Sequence, residues 1–470
     1  MRAVSVLARG GVALAMLFAA GCAAGPNYKR PEVKVPDLYR GAGPAADAAS
    51  VGDRNWADLF QDDVLKQHIA DALANNFDLR IASERVEQAR ARYRITGASR
   101  FPFVNAQGQF SATRTSTVGS NKMVQPGSNT DVAYTQAGGS LSWELDLWGK
   151  LRRANEAARA QYFATEEVRR GVIVSLVSEV ANTYFTLRER DLELEIARGT
   201  EQIAEQNLKL VNLRHDRGAA TGLAVQQAQQ FLYSASAQVA RAQREIVQAE
   251  DALNMLMGKL PGDVARGQAV DDFGLPPELP PGLPSSLLER RPDIRAAEQQ
   301  LISANAQIGV AKAYYFPQIS LTSFIGGQSR ALSEIFTGPA RYFTFVPSAI
   351  LPIFNSGQVR VAVRLSEAQK REMVIAYQKS IYNAFREVSD ALVAYDRTRE
   401  QRRQQENLVR ASTEATRLSH LRYQGGLDSY LQVLDAERSQ FQARLTLAQL
   451  RLAELQSFVQ VYRALGGGWQ

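Results

Sequence analysis

The chain carries its own plan twice, and this limits what it can fold into more than any other feature. Asp78-Leu79-Arg80 and Phe101-Pro102 return as Asp293-Ile294-Arg295 and Phe316-Pro317, both at an offset of 215 (293 − 78 and 316 − 101). Arg152, Glu179-Val180, Leu213-Arg214, Gly218 and Ala228 return as Arg360, Glu387-Val388, Leu421-Arg422, Gly426 and Ala436, at an offset of 208 (360 − 152). The 7-residue difference (215 − 208) falls between Pro102 and Arg152, where neither copy has helical period. A gapless match over roughly a hundred residues implies a duplicated supersecondary unit whose copies surround a common axis.

Each copy reads helix, two strands, then two long helices. Repeat 1 spans 62–260, a Pro-rich linker covers 261–292, repeat 2 spans 293–466, and 467–470 is a tail. A short helix from Asp62 to about Asn76 precedes one from Phe77 to Ser99, which Phe101-Pro102 stops. The period then falls to 2. Val104, Ala106, Gly108, Phe110 and Ala112 alternate with Asn105, Gln107, Gln109 and Ser111. After a Gly/Ser/Asn-rich loop over Thr117–Thr130, Ala137, Gly139, Leu141, Trp143, Leu145 and Leu147 alternate with Gln136, Ser140, Ser142, Glu144 and Asp146. In copy two Ile319, Leu321 and Ile325 alternate with Gln318, Ser320 and Thr322, and Phe343, Phe345, Ala349, Leu351 and Ile353 follow. The hairpins lie at about 103–147 and 317–353. Four strands, each apolar on one side and about ten residues long, suit a tilted crossing of a bilayer.

The long helices are expected at Leu151–His215, Leu223–Met257, Val359–Tyr423 and Ser429–Ala464, making helical hairpins over 151–257 and 359–464. At about 1.5 Å per residue the longest approach 100 Å, more than a globular core needs, so they should pair along their length. Val225, Ala228, Leu232, Ala235, Val239, Ala242, Ile246, Ala249, Leu253 and Leu256 step by 3 and 4. So do Leu431, Leu434, Arg438, Phe441, Leu445, Ala448, Leu452, Leu455, Val459 and Tyr462, apolar except for Arg438. This is the period of a left-handed coiled coil. The two rows are out of phase by two residues once the offset is removed, so the copies should pack differently.

The N-terminus reads as an export signal over 1–21: Arg2 and Arg9, an apolar run from Gly10 to Ala20, then Ala19-Ala20-Gly21-Cys22. Cys22 is the sole cysteine, so no intramolecular disulfide can form. Small residues before it resemble a lipobox, and Cys22 is expected to become an acylated N-terminus that anchors the chain to a membrane. Residues 22–61, with Pro26, Pro31, Pro36 and Pro44, are expected to be an extended tether. The formal charge of +7 arises from Arg and Glu interspersed along helices, which describes a solvated surface and not a nucleic-acid face. His68, His215 and His420 are too scattered for a zinc site, and no P-loop appears, so the chain reads as no enzyme and needs no cofactor beyond its lipid.

A membrane sheet must close, because open edges leave backbone groups unpaired in lipid. Four strands cannot close alone, whereas three chains supply twelve strands and twelve long helices. Either these are not membrane strands or several chains share one barrel; three chains would give a fold of mixed α and membrane β, a homotrimeric 12-strand β-barrel continuing into a long α-helical coiled-coil barrel. A lipid-anchored periplasmic scaffold would explain Cys22 and the helices but leave the strands without a purpose.

Several motifs resemble the outer-membrane factor family, the TolC-like channels, and in particular its lipoprotein branch of multidrug channels. They are Ala20-Gly21-Cys22, Asn27-Tyr28-Lys29-Arg30-Pro31, Trp143-Glu144-Leu145-Asp146-Leu147-Trp148-Gly149, Leu288-Glu289-Arg290-Arg291-Pro292-Asp293-Ile294, Phe316-Pro317-Gln318-Ile319 and Ala464-Leu465-Gly466-Gly467-Gly468-Trp469. The resemblance covers the whole chain. It implies a homotrimer in the outer membrane, projecting into the periplasm. It also implies partners: a periplasmic adaptor and an inner-membrane proton-driven transporter of the resistance-nodulation-division type. It implies a passive conduit for drugs and other small molecules, with protein secretion as the competing cargo.

The resemblance also implies two functional regions. Adaptor docking falls at the turns Asp216-Arg217-Gly218 and Gln424-Gly425-Gly426, on Gly218, Leu223, Ala228, Gly426, Leu431 and Ala436. A periplasmic gate falls on Tyr423, Leu431, Asp435 and Arg438. Asp435 and Arg438 are three apart and share a helix face, so a simple surface ion pair is the alternative. Three acidic residues around one axis would also favour cations.

Overall fold

The computed structural model describes residues 23–36, 38–40, 50–116, 131–274, 279–282 and 284–469. Cys22, the signal segment, Pro44, Pro276, Pro277 and the Thr117–Thr130 loop lie outside the described residues. The main elements are α1 (Asp63–Asn75), α2 (Phe77–Ala98), β1 (Phe103–Arg114), β2 (Asp131–Leu145), α3 (Lys150–Asp216) and α4 (Gly222–Leu256). Then come α5 (Pro292–Ala313), β3 (Gln318–Ser329), β4 (Arg341–Ile350), α6 (Gln358–Gln424) and α7 (Tyr430–Ala464). The repeat holds element by element. Both ends of α2 and α5, and of β1 and β3, differ by 215 (292 − 77, 313 − 98, 318 − 103, 329 − 114). Both ends of α3 and α6, and of α4 and α7, differ by 208 (358 − 150, 424 − 216, 430 − 222, 464 − 256). The 7 residues are therefore lost from the second hairpin, after β3 and before α6. Among the described residues no helix is long and apolar enough to cross a membrane.

The chain folds as two compact units. One gathers the residues up to Pro31 with Glu87–Thr165 and Ala297–Ala376. Its centre is one antiparallel sheet in the order β1-β2-β3-β4. Pairs such as Ala137↔Gly108, Gly139↔Ile325 and Ile325↔Phe343 put the alternating apolar residues of all four strands on one side. Because side chains alternate across a strand, Gln107, Gln136, Ser140, Ser320 and Thr344 fall on the other. β1 and β4 are edges with no strand beyond them among the described residues.

Three details depart from the expected strands. β4 ends at Ile350, so Leu351 and Ile353 follow the strand. Phe324 lies on the polar side, buried against Tyr342 with ring centroids 5.9 Å apart. Asp146 is not a strand residue: it accepts from the Leu151 and Arg152 N–H groups at 2.9 and 2.8 Å, capping α3. Glu144, which shares its motif, pairs with Lys150 at 2.5 Å. Asp146 thus starts the helix, and Glu144 ties the end of β2 to its first residue.

Up to Pro31 the tether is extended, and it is also pinned; the expectation of an extended tether over 22–61 fails further on, where the chain forms a 3-10 turn at Val51–Asp53 and a short helix at Trp56–Leu59. Ala24 N–H donates to Trp148 O at 2.9 Å. Arg153 Nη2 donates to Asn27 Oδ1 at 2.7 Å. Arg30 Nε and Nη2 grip both oxygens of Glu298 at 2.7 and 2.6 Å. Ala23, the first described residue, abuts Gly149 where a Cβ would stand.

The second unit gathers Glu32–Val86, Glu166–Ala296 and Tyr377–Gln470. Buried Asp62 caps α1 and ties three segments: it accepts from Val64 N–H at 2.8 Å, Tyr184 Oη at 2.8 Å and Gln268 N–H at 2.9 Å. The Arg-Arg-Pro-Asp-Ile and Leu-Gly-Gly-Gly-Trp motifs meet here. Arg291 donates to Ala464 O at 2.9 Å and to Glu387 at 2.7 Å. Gly466 has φ 79° and lies against the Arg291 side chain, and a Cβ on Gly467 would overlap the Tyr462 ring. Trp469 lies 4.8 and 5.9 Å from the guanidinium groups of Arg170 and Arg295, which share Glu167. On α3, Glu189 is fully buried, with the Arg190 guanidinium 3.3 Å from one carboxylate oxygen.

Candidate functional site

Both helical hairpins turn by the same device. Gly218 and Gly426 take φ of 71° and 73°, a region that costs any residue with a Cβ. In the first turn Gly218 N–H donates to His215 O at 2.8 Å and Ala219 N–H to Arg214 O at 2.7 Å. In the second, Gly426 N–H donates to Tyr423 O at 3.1 Å and Leu427 N–H to Arg422 O at 2.9 Å. These residues correspond at an offset of 208 (426 − 218, 427 − 219), so the repeat extends to the hydrogen bonds that end each helix. Thr221 then caps α4 by accepting from Ala224 N–H at 3.2 Å, while its counterpart Ser429 makes no side-chain cap bond.

Behind the turns four helices share one apolar core. Val211 comes from α3, Val225, Ala228 and Phe231 from α4, Tyr423 from α6, and Tyr430, Val433 and Leu434 from α7. The Tyr423 and Tyr430 rings are 5.6 Å apart. The Arg214 guanidinium sits 4.3 Å from the Tyr423 ring centroid and donates to its carbonyl at 3.4 Å. Burial, assisted by the Glu437 charge, raises the Tyr430 phenol above its ordinary range. Arg422, the counterpart of Arg214, instead grips Asp428 at 2.6 and 3.2 Å and holds that carboxyl below its usual range.

The residues expected to form a gate fall into two groups. Tyr423 is buried in this core. Leu431, Asp435 and Arg438, at steps of 4 and 3, make an exposed stripe on α7. Asp435 and Arg438 do not pair with each other; Arg438 donates to Gln230 Oε1 at 3.2 Å, and Gln230 occupies its own position in copy one (438 − 230 = 208). The buried row at the start of α7 is therefore Tyr430, Leu434 and Glu437, not Leu431, Leu434 and Arg438. Both rows step by 3 and 4. Packing on α4 and α6 selects the one with the larger ring and releases Arg438 to solvent. The copy-one row stays as expected, with Val225, Ala228, Ala235, Ala242 and Leu253 buried.

The residues expected to dock a partner also separate. Gly218 and Gly426 have open space around them. Leu223 and Leu431, equivalent in the two copies (431 − 223 = 208), are 67% and 52% exposed. Ala228 is buried and Ala436 half-buried. Leu213, Leu421 and Leu427 are exposed beside them. Spacing marks Leu213 and Leu421 as a repeated pair but does not reveal them as surface.

Nor does spacing reveal a buried polar group. Glu437, 5% exposed, takes His420 Nε2 at 2.9 Å and Asn207 Nδ2 on its Oε1, while its Oε2 has no hydrogen-bond partner. It lines a cavity of about 280 Å³ with Phe231, Thr416 and Phe441. In the sequence His420 is only one of three scattered histidines. The packing of α3, α6 and α7 alone brings these three residues together. Among the described residues no cluster of three or more His, Cys, Asp or Glu is placed to hold a metal ion.

The chain as a whole is similar to known proteins. The sequence signature of the family described as Outer membrane efflux protein matches residues 68–259 and 283–467. The cation efflux system protein CusC of Escherichia coli O6:H1 is 38% identical over 464 residues, covering 98% of each chain. The probable efflux pump outer membrane protein TtgC of Pseudomonas putida is 37% identical over 465 residues, covering 97% of this chain and 95% of TtgC. The open-state crystal structure of the Neisseria gonorrhoeae MtrE outer membrane channel superimposes with a TM-score of 0.85 at 32% identity, covering 96% of this chain and 99% of that one.

Proposed function

Since the chain belongs to the outer membrane efflux protein family and is an outer-membrane efflux channel, we propose that it works as the passive exit duct of a tripartite pump. Three copies share one 12-strand barrel, and their long helices continue it as a tunnel. The observation that carries this reading is the sheet. It has four strands, an apolar side bearing exposed Ile325, Phe343 and Phe345, and two free edges among the described residues. Such a sheet is stable in lipid only when other copies close it. A second row of exposed apolar residues supports the same assembly: Leu365, Ile375, Tyr382, Val393, Leu408 and Leu418 run along α6.

A lipid on Cys22 fits the pinned tether, which brings the neighbouring Ala23 to Gly149, at the junction of β2 and α3. Three protomers would bring three stripes of Leu431, Asp435 and Arg438 around the axis, with Tyr423 supporting them from the core, and this ring is the periplasmic gate. Leu223 and Leu431, with Gly218 and Gly426 between the helices, offer the adaptor two equivalent apolar contacts. Ala228 and Ala436 back them. The inner-membrane transporter, of the proton-driven resistance-nodulation-division type, supplies the energy.

The names of relatives span cations for CusC, toluene for TtgC and antibiotics for ArpC. For this chain we favour small organic molecules, on the multidrug-type motifs. Cells lacking the chain should accumulate a fluorescent drug, and its return should restore efflux. Unchanged accumulation of drugs, together with sensitivity to metal salts, would reassign the cargo.

A further inference from the structure

The connection between β3 and β4 carries an unusual distribution of apolar residues. Leu332 is 70% exposed and Phe336 is 89% exposed, while Ile335 between them is buried. The segment is not loose. Two short 3-10 turns, Leu332–Glu334 and Gly338–Ala340, are joined by Thr337 N–H donating to Glu334 O at 2.9 Å, and Thr337 Oγ1 donates to the same carbonyl at 2.7 Å. Ala331 N–H donates to Ser329 Oγ at 3.2 Å where the strand ends. Backbone order therefore holds the two large apolar side chains out.

Gly327 tells on which side the connection lies. In β3 it falls in the same alternating row as Ile325, and its partner across β2 is Ala137, also of the apolar side. A Cβ on Gly327 would overlap the carbonyl of Ile335. The connection thus folds back over the apolar side of the sheet, next to exposed Ile325 and Phe343. Arg330 and Arg341, both exposed, flank it. Two apolar side chains between two arginines, continuous with a lipid-facing surface, match what binds at a membrane interface. The apolar groups enter the acyl chains, and the long basic side chains reach back to anionic headgroups.

We propose that the β3–β4 connection is a membrane-inserting loop, with Leu332 and Phe336 seated among the acyl chains of the leaflet around the barrel and Arg330 and Arg341 at its headgroups. This rests on the reading of the sheet's apolar side as lipid-facing. Its use would be to fix the height and tilt of the barrel, since three copies would form a ring of six apolar anchors.

The test uses the full chain in phosphatidylethanolamine–phosphatidylglycerol vesicles. Leu332→Cys and Phe336→Cys each carry an environment-sensitive fluorophore, and the parent chain, whose sole cysteine is Cys22, sets the background. Phe345→Cys on the apolar side and Gln107→Cys on the polar side are the references. The expected result is blue-shifted emission at 332 and 336 that a lipid-borne quencher removes and aqueous iodide does not, as at 345. Probes at 332 and 336 that iodide quenches, or that neither quencher reaches because protein covers them, would overturn the loop's insertion while 345 still reports lipid. If 345 behaves like 107 in water, the lipid-facing sheet itself fails and the proposal with it.

Discussion

Glu189 shows how one residue can oppose the stability of the whole. Desolvation, and next the Glu193 carboxylate, push its carboxyl from 4.5 up to about 8. Below pH 4.5 the group is protonated folded or unfolded, and it costs nothing. From there to about pH 8 the unfolded chain releases the proton while the folded one keeps it, so stability falls as pH rises. Glu189→Gln should leave stability unchanged at pH 4.5 and raise it by about 2–4 kcal/mol at pH 8.5, read as a higher Tm of the detergent-solubilised protein. An equal gain at both pH values would mean that Glu189 is ionised in the fold. At the proposed gate, Asp435 and Arg438 are exposed and not paired with each other. Replacing both by Ala should therefore leave the protomer folded and raise the single-channel conductance. Unchanged conductance would remove the stripe from the gate.

Among the elements, the helical hairpins depend on two glycines that no other residue replaces without strain. Gly218→Ala and Gly426→Ala each force a Cβ into the left-handed region and should cost about 1 kcal/mol locally. The amides of residues 214–219 and 422–427 should then exchange with solvent faster, with the strands unaffected. Protection equal to the parent chain would mean that the turns close by another route. These elements are legible in the sequence almost to the residue: α3 is expected at Leu151–His215 and runs Lys150–Asp216. Glycines, prolines and period mark such limits because helix ends and strand alternation are local. Legibility ends where a residue near an element's end has two uses. Asp146 continues the strand's alternation yet caps a helix, and period alone cannot separate these.

For the whole molecule the decisive quantity is the number of chains. In the proposed assembly, further copies pair the edges that β1 and β4 leave free among the described residues and cover the exposed apolar row along α6. Protein extracted from outer membranes in mild detergent should have about three times the chain mass. A monomer, or release without detergent, would leave the edges unpaired and point to a periplasmic scaffold.

Local spacing dictates the duplication, the order of the main elements, the limits of the long helices, the side of each strand that is apolar, and the turns at Gly218 and Gly426. Apart from the duplication, which is read from matches 208 and 215 positions apart, these rest on period and on residues within a few positions of one another. Packing settles three other matters. It chooses Tyr430 and Glu437 over Leu431 and Arg438 as the buried row of α7, since two rows of equal period differ only in what lies opposite. It joins the Arg-Arg-Pro-Asp-Ile and Leu-Gly-Gly-Gly-Trp motifs, 173 residues apart at Arg291 and Ala464, into one junction. It also gathers Asn207, His420 and Glu437 around one buried oxygen. A hydrogen bond between distant residues leaves no period in a chain, so nothing short of packing could reveal it.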